Sequence, residues 1–128
     1  MAIAQYIRQH GFRRWYEREL VRGHAHLLLL LLCALAVMGA IEAFGQQRGD
    51  QRLLMVLSLV VATVLGLVAM RRYLFHLGRA EALAHQAACP HCHAYARWQV
   101  DGPADEKPEG LCMPVCCRAC GGRWTIRW

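Results

Sequence analysis

Six of the chain's seven cysteines fall between Cys89 and Cys120, and four of them form two C-x-x-C pairs, Cys89 with Cys92 and Cys117 with Cys120. The turn inside such a pair directs both sulfurs and several backbone N–H groups to one point. Two pairs facing each other make the closed tetrahedral thiolate site that Zn²⁺ favours. Pro90 sets the turn of the first pair, and Gly121 follows the second, where a positive φ is commonly needed. Other ligand sets are open by spacing. Cys116 adjoins Cys117, Cys112 is a further thiol, and His91 or His93 can replace a cysteine. The symmetric set Cys89, Cys92, Cys117 and Cys120 is preferred on geometry, which leaves Cys112 and Cys116 as small strand or loop residues. The seventh cysteine, Cys33, lies within an apolar block and reads as a small core residue.

Around the pairs, His93 to Val100 and Thr125 to Trp128 read as short strands, with Asp101 to Gly110 a turn-rich excursion and Trp98, Val100, Trp124, Ile126 and Trp128 as a small core. Strand, knuckle and strand on either side of one metal resemble the zinc-ribbon fold, over Cys89 to Trp128 only. The pattern is also similar to rubredoxin, which implies iron in the same tetrahedron as an alternative cofactor. Cys117 to Gly121 fits that likeness, whereas His93 stands where rubredoxins usually place glycine, and the acidic character of rubredoxins is missing. The need for a metal is independent of either resemblance. About 40 residues bury too little apolar surface to fold alone, and structural zinc provides on the order of 10 kcal/mol or more. A disulfide framework needs an oxidising compartment, at odds with the topology below.

What positions this module is not an ordinary globular domain. The 128 residues are 56% hydrophobic and 19% charged, and two blocks, Leu27 to Ile41 and Leu53 to Met70, carry no charge. The spans expected are residues 24–44 and 53–73, each long enough for about 30 Å of hydrocarbon. Too few residues remain outside them to cover two helices that are apolar all round. The polar turn Gly45 to Arg52 makes the spans an antiparallel hairpin, with both termini on one side. Arg8, Arg13, Arg14, Arg18, Arg22, Arg71, Arg72 and Arg79 flank the spans on that side, against Arg48 and Arg52 in the loop, which places both termini in the cytoplasm and the protein in the inner membrane. A cleaved signal peptide is disfavoured by the long basic leader and the lack of an A-x-A site after the run. Small residues at four-residue steps, Ala36 and Ala40, Gly39 and Ala43, Ala62 and Gly66, allow close helix packing.

The expected layout is a basic amphipathic segment (residues 1–22), a two-helix transmembrane hairpin (23–77), a linker (78–88) and a β zinc ribbon (89–128). In the first segment Ile3, Tyr6, Ile7, Phe12, Trp15 and Tyr16 can form the apolar face of an interfacial helix on anionic lipid, with Gly11 a weak point. The hairpin brings His24, His26 and His76 to similar depth, which admits a haem or metal between the helices, but wet interfacial histidines are the preferred reading, and Glu42 reads as a carboxylate near the outer end of its span that reaches water. No nucleophile–base pair, HExxH, P-loop or GxGxxG is present, so no enzyme activity and no small-molecule substrate are expected. A hairpin with a metal knuckle suggests an accessory or adaptor protein in a larger membrane complex. Its candidate grip residues are Arg118, Arg123, Trp124, Arg127 and Trp128. A membrane-tethered nucleic-acid binder is the third reading. From Leu83 onward five basic residues face four acidic ones, and four thiolates with a divalent ion bring that module to −1, which speaks against nucleic acid.

Overall fold

The computed structural model describes residues 3–45, 49–107 and 110–128, with the side chains of 106 and 107 outside the description. It contains helices α1 (Ile3–His10), α2 (Phe12–Phe44) and α3 (Asp50–His85), followed by strands β1 (Trp98–Val100), β2 (Asp105–Lys107), β3 (Gly110–Cys117) and β4 (Arg123–Arg127). Two compact units result. One comprises Val21–His76; the other joins Met1–Leu20 to Leu77–Trp128.

The Val21–His76 unit is a pair of helical segments, and both parent helices are long and apolar enough to cross a membrane. Their apolar side chains are not a protein core: Leu28, Leu31, Leu35, Val60, Val64 and Leu67 are each more than half exposed. The less exposed residues follow a seam of alternating three- and four-residue steps. On α2 these are Gly23, His26, Leu30, Cys33, Val37, Ala40 and Phe44; on α3 they are Met55, Leu59, Ala62, Gly66, Ala69, Tyr73 and His76. That spacing is the 3.5-residue repeat that keeps one stripe of a helix facing its neighbour. Of the expected small-residue steps, Ala62 and Gly66 lie on this seam together with Ala40, while Ala36 and Gly39 are exposed. A Cβ on Gly66 would stand 3.3 Å from the Cβ of Cys33, whereas one on Gly39 would meet nothing within 4 Å. Disulfide geometry needs Cβ atoms about 3.5–4.5 Å apart, so a Cβ at 3.3 Å has only a few tenths of an ångström to give to reach it. Gly66→Cys is therefore expected to bond to Cys33 on mild oxidation, with the loss of two alkylatable thiols by mass spectrometry, and Gly39→Cys is not. Of the connecting turn, residues 46–48 lie outside the described residues; Gly49 (φ +67°) leads into α3. Glu42 is exposed.

In the other unit the N-terminal segment differs from expectation. Gly11, at φ +84°, breaks it into α1 and the start of α2. Its apolar face is covered by protein rather than left for lipid: Ala4, Ile7, Phe12 and Trp15 are buried with Leu83, Ala87, Trp98, Leu111, Met113, Val115 and Ile126 in one core. The physical reason is the small size of the sheet, which cannot close a core by itself. Residues 78–85, expected as linker, continue α3, and Leu83 is fully buried.

The sheet is antiparallel and three strands wide. β4 lines one edge of β3, while β1 and β2 share the other in tandem. β3 was not apparent as a long strand, because Pro114 interrupts it and the turn-rich stretch preceding it hides β2. The register explains the proline. Leu111 exchanges both backbone hydrogen bonds with Trp128 of the chain beyond β4, so Met113 and Val115 also face β4 and Pro114 faces the other way. It lies there opposite the gap between β1 and β2, where Asp101 donates its N–H to the Pro114 carbonyl and no donor is required of the proline. Strand β1 is shorter than the expected His93–Val100. Trp98 and Ile126 are buried as expected, Val100 and Trp124 are half-buried, and Trp128 is 38% exposed.

Candidate metal centre

The two cysteine knuckles have matching backbones. His93 N–H donates to Cys89 C=O at 2.9 Å and Gly121 N–H to Cys117 C=O at 3.1 Å. Cys89 N–H donates to Ala94 C=O at 3.1 Å and Cys117 N–H to Gly122 C=O at 2.8 Å. The residue closing each knuckle is left-handed, Gly121 at φ +72° and His93 at φ +58°. Glycine takes this conformation freely, and histidine is among the side chains that tolerate it. Knuckle N–H groups also point at sulfur, from Ala119 to Cys117 Sγ and from Gly122 to Cys120 Sγ, each at 3.4 Å.

The Sγ atoms of Cys89, Cys92, Cys117 and Cys120 all lie within 4.8 Å of one another. Cys89 and Cys120 are 3.6 Å apart, Cys92 and Cys117 3.7 Å. A tetrahedron of sulfurs at about 2.3 Å from a metal has edges of roughly 3.8 Å. The thiols thus sit at the spacing of a tetrathiolate site and well beyond a disulfide bond of about 2.05 Å. This cluster can hold a metal ion; the geometry is shared by zinc and iron.

Protonation of the cluster is uneven. The N–H groups of Cys120 and Ala119 draw the Cys117 thiol down to about 7, against burial. At Cys120 the Gly122 N–H also lowers the pKa, but Cys92, burial, Cys89 and Cys117 together push it up to about 12. At neutral pH the metal-free cluster holds Cys117 partly ionised and Cys120 protonated. A cation entering there displaces the Cys120 proton, so acid favours its release.

The strand pattern separates the remaining sulfurs from the cluster. Successive residues of a strand point to opposite faces, and Leu111, Met113, Val115 and Cys117 form the buried face of β3. Cys112 and Cys116 point the other way, across from Arg127 and Arg123 of β4. Cys116 Sγ lies 3.6 Å from the Gly121 carbonyl. Neither His91 nor His93 joins the cluster. Cys116→Ser and Cys112→Ser should therefore retain metal at the wild-type stoichiometry, whereas Cys117→Ser should lose it, as read by metal analysis of the purified chains.

The five grip residues separate into two kinds. Arg118, Arg123 and Arg127 are exposed, with Arg123 Nε 3.0 Å from Asp101 Oδ2. The tryptophans face inward contacts: Trp124 Nε1–H donates to the Gln86 carbonyl at 3.1 Å, and the Arg79 guanidinium lies 5.8 Å from the Trp128 ring centre. Three positioning residues escape sequence reasoning. Gln86 caps the edge of β4, its amide accepting from Arg127 N–H at 2.9 Å and donating to Arg127 C=O at 2.7 Å. Glu19 and Arg79 form a buried ion pair. Gln86 follows a stretch that reads as a linker, and a separation of 60 positions in sequence hides the ion pair. Comparisons of the chain with models of protein families, with curated proteins and with solved structures give no match.

Proposed function

We propose that this chain is a small integral-membrane adaptor in which the two apolar helices span the inner membrane, both termini lie in the cytoplasm, and the C-terminal sheet is a zinc ribbon that binds a partner within a larger complex. The thiol cluster carries the reading. Four sulfurs at tetrahedral spacing complete the usual coordination of zinc and leave no position for a substrate, which makes the ion a structural one rather than a catalytic one. The outward-facing apolar side chains of the Val21–His76 unit support insertion in lipid. The grip falls to Arg118, Arg123 and Arg127, which present exposed guanidinium groups on a face suited to an acidic partner surface. The tryptophans act from behind, as packing.

Gentle detergent extraction from native membranes, with metal analysis and mass spectrometry of co-eluting proteins, tests all parts together. One zinc per chain and a membrane-protein companion lost in Arg123→Glu/Arg127→Glu are expected. Red protein with bound iron would replace the reading with electron transfer by a rubredoxin-like centre.

A further inference from the structure

The Val21–His76 unit carries a pair of imidazoles that the thiol cluster does not use. His26 of α2 and His76 of α3 lie on the seam, both half-buried, with ring centres 5.4 Å apart and planes inclined at 34°. Gly23, one turn before His26, packs beside His76: a Cβ there would make ordinary contact, 3.9 Å from the His76 Cβ and equally far from the Tyr73 ring. His26 is also oriented from behind, its Nδ1 2.8 Å from the Arg22 carbonyl. A carbonyl in that place accepts a hydrogen bond from Nδ1–H and leaves Nε2 with its lone pair, as the backbone partners of metal-bound histidines do. With metal–nitrogen distances of about 2.0–2.1 Å, two imidazoles on one ion bring their ring centres roughly 5–6 Å apart. His24, exposed and two residues from His26, points to another part of the helix surface and takes no part.

We infer that His26 and His76 form a second, two-histidine site for a borderline divalent transition cation such as Ni²⁺, Cu²⁺ or Zn²⁺, its remaining positions filled by water. The site goes beyond the adaptor reading and stands whether the thiol cluster holds zinc or iron. Bridging α2 and α3, it joins two residues fifty positions apart in sequence. Neutral imidazoles are required, so the ion leaves in acid.

The test uses the untagged full-length chain in detergent micelles, with its thiol cluster filled with zinc, dialysed against Ni²⁺. One nickel per chain is expected in addition to the thiol-bound metal. His26→Ala and His76→Ala should each weaken nickel binding at least tenfold, while His24→Ala binds as wild type. Unchanged zinc content and far-ultraviolet circular dichroism in each variant report that the fold is kept. No retained nickel in the wild type, or retention at the wild-type level by His26→Ala or His76→Ala, overturns the site.

Discussion

Stripping the metal from the thiol cluster, by chelation or by Cys89→Ser, is expected to unfold the sheet and the N-terminal segment together while the Val21–His76 helices stay folded. The size of the effect follows from what holds the unit. Structural zinc in small thiolate modules contributes on the order of 10 kcal/mol or more, comparable with the stability of a whole domain. Cys89 and Cys117 are buried, and the chain on either side of each knuckle feeds the core through Ala87 and Val115. Once four thiols replace one ion, the knuckles lose their centre, and Leu111, Met113 and Ile126 lose the frame that covers Ala4, Ile7, Phe12 and Trp15. Limited proteolysis reads this directly: new cleavage sites should appear at Arg8, Arg13 and Arg14 as well as at Arg118 and Arg123. A protected N-terminal segment beside a digested sheet would show that α1 and the start of α2 have another support. The seam of α2 and α3 contains none of the four cysteines, so its helical signal should persist.

That joint unfolding was not visible in the amino-acid sequence, and the reason lies in what each kind of signal reports. The two C-x-x-C pairs and the two uncharged blocks are local patterns, set by a turn and by hydrophobic length, and both lead to the observed clusters and helices. The partner of an amphipathic face is not local. Ile7, Phe12 and Trp15 among arginines suit a lipid surface as well as a protein core, and the choice depends on how little apolar area the sheet supplies. The same holds for β3, whose proline argues against a central strand until the tandem placement of β1 and β2 leaves an unpaired position opposite Pro114. Helix α3 illustrates a third case. Residues 78–85 are polar enough to read as a linker, yet Ala80 and Leu83 are three apart and both buried, a stripe too short to stand out beside the uncharged block Leu53 to Met70.

Arg79→Met is expected to destabilise the sheet-bearing unit by about 3–5 kcal/mol, the range for removing one partner of a buried pair. Glu19 is 2% exposed and hydrogen-bonded to the Arg79 guanidinium, whose neighbours include the Trp15 ring at 5.9 Å and the Trp128 ring at 5.8 Å. The aromatic faces favour the cation and shield the pair from water, so removing the arginine takes its counter-charge from a carboxylate that solvent scarcely reaches. The double variant Glu19→Leu/Arg79→Met removes both charges and should recover most of the loss, because two apolar side chains of similar volume need no partners. Glu19→Leu alone removes the carboxylate from a guanidinium that is less buried, at 14% exposure, and should cost less. Denaturant unfolding of the metal-loaded chain in micelles, followed by tryptophan fluorescence, measures all three. An additive double variant would mean that the charges act separately. Strong recovery would identify the pair as one unit, holding the start of α2, the end of α3 and the last tryptophan around a common centre.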